Sequence, residues 1–195
     1  GSPIGGARPK ALIESDTKKY IAKFSSTSDI YSVIKAEFIA MRLANIAGIN
    51  VANIQLEKVA HRDVLLVERF DRQRNEKGWQ RKAMVSALTI LRLDEMMARY
   101  ASYENFAEII RHRFEDGSAA LKELFARMTF NILVGNTDDH ARNHSAFWDG
   151  SHLTLTPAYD ICPQQRAGTI AYQGMLIFGD NNRSQIATCI AAAHC

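Results

Sequence analysis

Short runs of apolar and polar side chains fill the first part of the chain, in the pattern typical of β-strands. Four such runs are found, at residues 11–14, 19–24, 53–59 and 64–70. Between the second and third run, residues 31–47 repeat apolar side chains with the period of a helix, and Gly48 supplies its end. We therefore predict two strand pairs with one helix between them.

A helical period dominates beyond residue 86. Three amphipathic helices are predicted, over residues 88–101, 103–114 and 118–134. Ser118 is the expected N-cap of the third helix, and Gly135 is its expected C-cap. Two further strands, residues 145–148 and 152–155, flank an Asp-Gly pair, which is a strong hairpin signal.

Strands come first and helices after, an order that predicts an α+β fold with two lobes. We assign residues 1–72 to a small, sheet-rich lobe and residues 73–195 to a larger, mainly helical lobe. The chain opens inside a glycine-rich turn and closes in a helical pattern without a cap. We therefore expect it to be truncated at both ends.

The composition excludes several classes of protein. A net charge of +3 without any block of five or six like charges does not favour direct nucleic-acid binding. Three cysteines without metal-ligand spacing, and no signal peptide, favour a reducing cytoplasmic location. No apolar run approaches the roughly 18 residues that a membrane span needs.

The loop after the third predicted helix is rich in carboxylate, amide and imidazole side chains. It reads GNTDDHARN over residues 135–143. Asp138 is followed five residues later by Asn143, the spacing that protein kinases use in their catalytic loop. In that loop the aspartate accepts the proton of the substrate hydroxyl, and the asparagine binds magnesium. An Asx-rich turn would explain one or two of these side chains, but not the whole set.

A second metal ligand is expected from Asp160. The Asp149-Gly150 turn folds the chain back, so Asn143 and Asp160 should lie near the same open end of one hairpin. Magnesium keeps several of its waters and needs few protein oxygens besides ATP phosphates. The pair therefore predicts a site for ATP and Mg²⁺.

Lys23 and Glu37 are the expected lysine–glutamate ion pair of a kinase. Lys23 lies in an alternating strand, and Glu37 lies on the apolar face of the first helix, where a carboxylate needs a neutralising partner. In kinases such a lysine holds the α- and β-phosphates, and the glutamate orients it. A lysine on a wet face and a glutamate at the edge of its stripe would be the purely structural explanation.

Two other segments are weaker nucleotide-binding candidates. The glycine-rich start, residues 5–10, could bring backbone N–H groups to phosphate, but a strand-connecting turn explains it equally well. The end of the fourth strand, residues 68–70, could meet the adenine ring at an inter-lobe hinge. The tripeptide His61-Arg62-Asp63 resembles a kinase catalytic triplet, but it lies in a predicted turn, so we reject it as catalytic.

Four segments together resemble the HipA-like toxin kinases of bacteria. They are GGARPK at residues 5–10, LVERFDR at 66–72, GNTDDHARN at 135–143 and PAYD at 157–160. The resemblance implies a two-lobed kinase fold that uses ATP and magnesium to phosphorylate serine or threonine of a protein. In the family the targets include aminoacyl-tRNA synthetases and the kinase itself, and a small DNA-binding antitoxin (HipB-like) is the usual partner.

Carried over to this chain, the resemblance makes Asp138 the catalytic base and Asn143 and Asp160 the metal ligands. It implies that the nucleotide is bound by Gly5, Gly6, Ala7, Arg8, Pro9, Lys10, Lys23, Glu68, Arg69, Phe70, His140 and Tyr159. The chain departs from the family at Pro3, where a regulatory serine is common, so autophosphorylation is either lost or moved to Ser2. The alternatives are a silent nucleotide- or antitoxin-binding fragment and a small-molecule kinase.

Overall fold

The computed structural model describes residues 8–26, 29–166 and 168–193. Its N-terminal part is an antiparallel sheet of four strands, in the order β1-β2-β4-β3. The strands are β1 (Lys10–Glu14), β2 (Lys19–Phe24), β3 (Ile54–Val59) and β4 (Arg62–Glu68). The helix α1 (Val33–Ile46) packs on β3 and β4. Because β2 lies between β1 and β4, it is an interior strand of the sheet.

The rest of the described chain combines helices with two small sheets. A separate hairpin is formed by β5 (Arg72–Asn75) and β6 (Gly78–Arg81), and a three-stranded sheet by β7 (Met84–Ser86), β8 (Ser145–Trp148) and β9 (Leu153–Leu155). The helices are α2 (Ala87–Ile90), α3 (Tyr103–Arg113), α4 (Gly117–Val134) and α5 (Ile186–Ala192), with a 3-10 turn at Ala98–Tyr100. None of the helices in these described ranges has the length and apolarity that crossing a bilayer requires.

The strands of the first sheet and of the β8–β9 hairpin agree with the predicted ones, with shifts of one or two residues. The apolar stripe predicted for α1 is buried, and its spacing of three and four residues includes Glu37. Helices α3 and α4 are also as predicted, and Gly135 ends α4 with a left-handed φ of +73°. The mixed α and β content therefore agrees with the predicted fold class, whereas the lobe boundary at residue 72 stays a prediction.

The helix predicted over residues 88–101 is wrong. Helix α2 ends at Ile90, and Arg92 has a φ of +58°, which a continuing right-handed helix cannot contain. The Asp94 side chain then accepts a hydrogen bond of 2.9 Å from the Met97 amide and starts a separate turn. The amphipathic pattern was real, since Leu88 is buried and Leu91 and Leu93 pack against the same core, but short turns carry it.

Three strands have no counterpart among the predicted elements. Strands β5 and β6 contain almost no apolar side chains. Strand β7 has only three residues and exists because it pairs with β8, far along the chain. Neither kind of strand leaves an alternating pattern for sequence analysis to find.

Two apolar clusters fill the interior. One is built mainly from α3, α4 and the three-stranded sheet, with Phe106 and Ile110 fully buried. The other joins α1 and β4 to Ala158 and Ile161, which follow β9. The second cluster therefore binds the N-terminal sheet to a segment from the far side of the chain.

The N-cap of α4 is Asp116 rather than Ser118, because the Asp116 side chain accepts a hydrogen bond of 2.9 Å from the Ala119 amide. We expect Asp116→Ala to lower the free energy of unfolding by about 1 kcal/mol, the usual contribution of such a cap. The control Ser118→Ala should change it by less than about 0.5 kcal/mol, as at other exposed positions. Urea unfolding would measure both, and equal losses would contradict the assignment.

Candidate active site

Lys23 lies at the centre of the candidate site, on the inner strand β2. Its ammonium contacts the Glu37 carboxylate and lies 2.6 Å from Oδ1 of Asp160. Lys23 is 6% exposed and Glu37 is 1% exposed, so this ion pair is removed from water. The three groups come from β2, from α1 and from the segment after β9, and one cation therefore joins three separate parts of the fold.

The charges of this cluster support one another. Burial lowers the pKa of Lys23, but the carboxylates of Glu37 and Asp160 outweigh it and hold that pKa above its usual value. Burial raises the pKa of Asp160, yet the nearby Lys23 ammonium outweighs burial and brings it below the usual value. For Glu37 burial is the stronger influence, and its pKa is raised. Lys23 is thus a permanent cation at neutral pH.

The backbone at Asp160 is held in an unusual conformation. Its φ is +61°, in the left-handed region that a non-glycine residue seldom adopts. Two hydrogen bonds fix the chain just before it: the Ala158 amide donates to Asn50 O at 2.7 Å, and the Ala52 amide donates to Ala158 O at 2.9 Å. Such conformations persist where surrounding structure imposes them, and they are frequent at functional sites.

The loop after α4 contains the candidate base. Asp138 is exposed, whereas Asn143 is buried. The side-chain amide of Asn143 donates a hydrogen bond of 3.1 Å to the Asp138 carbonyl, and its backbone amide donates to His140 O at 2.8 Å. The two predicted site residues are therefore in direct contact, and the Oδ1 atom of Asn143 is left to accept or to bind a cation.

Tyr159 joins this loop to the segment that carries Asp160. Its hydroxyl donates to Arg142 O at 2.7 Å and lies 2.7 Å from Oγ of Ser145. These partners lie on either side of Asn143, and Tyr159 itself precedes Asp160. The structure thus brings the regions of Asn143 and Asp160 together at the open end of the β8–β9 hairpin.

The donor set fits magnesium. Asn143 offers Oδ1, and Asp160 offers the carboxylate oxygen that Lys23 does not contact. Within the described residues, no group of three or more His, Cys, Asp or Glu side chains is arranged to hold a metal. Magnesium does not need such a group, since one or two protein oxygens, phosphates and water complete its shell.

The glycine-rich segment is described only in part, because Gly5, Gly6 and Ala7 lie outside the described residues. The Arg8 guanidinium pairs with Asp29 at 2.7 Å. Pro9 O accepts from the Phe24 amide. Lys10 lies opposite Lys23 in the β1–β2 ladder, and its charge helps to lower the pKa of Asp160. Of these side chains, Lys10 is therefore on the Lys23 face of the sheet, while Arg8 is occupied by Asp29.

The predicted adenine-contacting segment is largely committed to protein contacts. The amides of Glu68 and Arg69 donate to Asn53 O and Lys19 O, each at 2.8 Å. Their side chains are also paired, Glu68 with Lys18 and Arg69 with Asp71. These two amides are therefore engaged within the protein, and the expected contact of residues 68–70 with adenine stays a prediction.

Phe70, the last residue of that segment, belongs to the second apolar cluster. Its ring lies 5.7 Å from that of Tyr159 and 5.9 Å from that of Phe147. Of the three predicted residues, Phe70 is therefore the one whose ring adjoins the segment that carries Asp160.

His140 and Tyr159 are the remaining predicted nucleotide contacts. In the described part of the chain, Nδ1 of His140 is buried and has no hydrogen-bond partner. Such an atom fits a site whose ligand supplies the partner. Burial raises the pKa of Tyr159, so its hydroxyl stays neutral. Its ring packs beside that of Phe70.

A buried polar network beneath the loop was missed by sequence analysis. Asp139 and His144 are each 2% exposed, and Oδ1 of Asp139 lies 3.0 Å from Nε2 of His144. The Tyr103 hydroxyl donates to the other carboxylate oxygen. The available signal was the same spacing of five residues, shifted by one position from Asp138 and Asn143.

A cavity of about 640 Å³ lies elsewhere, between α3, α4 and α5. Its lining includes Leu121, Phe125 and Met128, with charged side chains such as Glu108 and Arg111. It contains none of the residues around Lys23, Asp138 or Asp160. Cavity size alone therefore does not identify the site, whereas converging charge and oxygen ligands do.

The fold belongs to the mixed α/β, kinase-like class. The HipA chain in a complex of the Shewanella oneidensis toxin–antitoxin system, with HipB and operator DNA, has a TM-score of 0.76 and 25% identity, over 90% of this chain and 48% of that one. The Helicobacter pylori proinflammatory kinase CtkA has a TM-score of 0.62 and 16% identity, over 78% of this chain and 55% of that one, which shows the fold alone.

The chain belongs to the HipA-like C-terminal domain family, whose model matches residues 2–194. The serine/threonine-protein kinase toxin HipA of Shewanella oneidensis is 27% identical over 183 residues, which cover 81% of this chain and 42% of that protein. A putative kinase of Haemophilus influenzae is 29% identical over 180 residues, or 83% of this chain and 52% of that protein. The chain thus spans about half the length of these relatives.

The ion pair of Lys23 leads to a prediction about pH. Lys23→Met should lower the free energy of unfolding at pH 7 by about 3–5 kcal/mol, because it leaves Glu37 buried without its partner. The folded pKa of Glu37 then lies further above the unfolded value, so the folded state binds more protons and gains stability as pH falls. The deficit relative to the parent should therefore shrink between pH 7 and pH 5.

Lys35→Met is the matched control. Lys35 is an exposed lysine that pairs with Asp63 at 3.2 Å, and its loss should matter by less than about 1 kcal/mol. Chemical unfolding at several pH values measures both variants. Equal losses of stability, or a Lys23→Met deficit that grows on acidification, would contradict the conclusion that Lys23 neutralises a buried Glu37 carboxylate.

Proposed function

We propose that this chain is the catalytic part of an ATP- and Mg²⁺-dependent serine/threonine-protein kinase of the HipA toxin type. The observation that carries the proposal is the contact of Lys23 with both Glu37 and Asp160. One cation is thereby placed between an orienting carboxylate and a candidate metal ligand. The kinase names of the relatives support the same class of reaction.

Each residue has a distinct task in this proposal. Lys23, oriented by Glu37, neutralises charge on the α- and β-phosphates, and Asn143 and Asp160 hold magnesium. When bound, magnesium would offset the negative charge of the phosphates. His140 supplies its unpartnered Nδ1 to the nucleotide, and Tyr159 and Phe70 line its pocket.

Asp138 is the proposed base. It is exposed, as a group that meets an incoming substrate must be, and Asn143 contacts its backbone. Asp138 accepts the proton of the serine or threonine hydroxyl while that oxygen forms a bond to the γ-phosphorus. The bond from phosphorus to the bridging oxygen breaks, and ADP leaves with the electron pair.

The partners are proposed from the relatives. The structural relative from Shewanella oneidensis is in complex with HipB and operator DNA. We therefore propose a HipB-like, DNA-binding antitoxin as partner. The resemblance to the HipA-like kinases supports a cytoplasmic protein as substrate, with an aminoacyl-tRNA synthetase as the first candidate. In this arrangement the antitoxin, not this chain, contacts nucleic acid.

Asp138→Asn tests the base. Phosphate transfer to a protein substrate should fall by at least about 100-fold, the usual contribution of general base catalysis, because the amide cannot accept the hydroxyl proton. Labelled ATP, incubated with the chain and a bacterial lysate, measures transfer. Stabilisation by ATP and Mg²⁺ in a thermal-shift measurement should be unchanged.

Asp63→Asn is the control. Asp63 lies in β4, belongs to the rejected tripeptide and pairs with Lys35 of α1. It should transfer phosphate within about twofold of the parent, as expected for a residue without catalytic contact. Loss with Asp63→Asn but not with Asp138→Asn would overturn the assignment. Nucleotide binding without transfer by the parent would instead identify a silent binding module.

A further inference from the structure

The proposed catalytic loop has buried polar side chains directly after each of its two functional residues. Asp139 follows Asp138, and His144 follows Asn143. Asp139 and His144 are each 2% exposed, and their side chains meet at 3.0 Å on the core side of the loop. The loop thus directs Asp138 to the surface while its neighbour is fixed in the interior.

Helix α3 contributes a hydrogen bond to the same carboxylate. Tyr103, the first residue of α3, donates its hydroxyl to Asp139 and lies 3.3 Å from Nε2 of His144. Burial raises the pKa of Asp139, but His144, Tyr103 and, to a smaller extent, Asn131 of α4 outweigh it and bring that pKa below its usual value. The Tyr103 amide also donates to Leu176 O at 2.9 Å, so the tyrosine is itself fixed in place.

The backbone of the loop is held from another side by Gly174. A Cβ atom at Gly174 would lie 2.9 Å from Asp139 O and 3.3 Å from Cβ of His140. Only glycine therefore allows this approach without displacement of the loop. Asp139 is consequently held at two points, its side chain by His144 and Tyr103 and its carbonyl by the close approach of Gly174. This restricts the backbone next to Asp138.

Stability alone does not account for this arrangement. A carboxylate without access to water loses several kcal/mol of hydration, and apolar side chains of similar volume would fill the space at least as well. What the polar network adds is direction, because the Asp139 carboxylate contacts both His144 and Tyr103. Burial of polar side chains at these two positions therefore serves the loop geometry.

We propose that Asp139, His144 and Tyr103 form a loop clamp, a set of positioning residues that fixes the Asp138 carboxylate relative to the Asn143 amide. This inference rests on the proposed function for its catalytic consequence. None of the three residues needs to touch ATP or the substrate. They act through the backbone of residues 138–143.

The consequence for catalysis is selective. Lys23, Glu37 and Asp160 lie outside the clamped loop, whereas His140 and Asn143 lie in it. Loss of the clamp should therefore raise the KM for ATP by much less than it lowers kcat. Displacement of a catalytic group by about 1 Å lowers the rate by about 100-fold, and kcat should fall toward that extent. A defect that was merely structural would instead reduce the amount of folded protein.

The test compares two substitutions of His144. His144→Leu removes the nitrogen that contacts Asp139, whereas His144→Gln can place a side-chain N–H near the position of Nε2. At saturating ATP and Mg²⁺, we expect the kcat of His144→Leu to be about 100-fold below that of the parent. The kcat of His144→Gln should be at least about tenfold higher than that of His144→Leu. The control is Leu124→Ala, which removes a buried side chain from the apolar cluster that also contains Tyr103. It should keep the parental kcat per folded molecule.

Hydrogen exchange of the backbone amides gives a readout that does not depend on activity. The Asn143 amide, which donates to His140 O, should exchange at least about tenfold faster in His144→Leu than in Leu124→Ala at equal global stability. Unchanged exchange overturns the clamp, as does a kcat equal to the parental one. Faster exchange in His144→Leu, together with a parent chain that transfers no phosphate, would overturn the proposed function and leave the clamp in place.

Discussion

A single buried cation organises the candidate site and much of the fold around it. Lys23 is removed from water on a central strand, where an unpaired ammonium would be severely destabilising. Glu37 and Asp160 meet this demand, and they come from α1 and from the segment after β9. Because such an ion pair gains little net stability after desolvation, its main effect is to fix how these elements sit relative to one another.

The loop proposed to be catalytic shows how neighbouring side chains can point alternately to the surface and to the core. Asp138 faces the surface, while the next residue is buried beneath it. The same division is repeated at Asn143 and His144, with Asn143 bonded to the Asp138 carbonyl. A short loop of irregular backbone thereby obtains the rigidity that is more often provided by a strand or a helix.

Sequence patterns predicted the elements that have a strong period and missed those that depend on distant partners. The strand around Lys23 and the helix with Glu37 were predicted because their apolar positions alternate or repeat locally. Helix 88–101 failed because one left-handed residue, Arg92, outweighed a good amphipathic pattern. The contact between Lys23 and Asp160 joins residues far apart along the chain, and side-chain spacing alone does not reveal such a contact.

The apolar cluster that joins β4 to Ala158 and Ile161 has a consequence for folding. The Ala52 amide donates to Ala158 O, so this interior is completed by residues about a hundred positions later in the chain. During synthesis the N-terminal sheet would leave the ribosome with part of its apolar surface uncovered for many seconds. Its folding is therefore completed late, and Lys23 is enclosed only when the segment that carries Asp160 arrives.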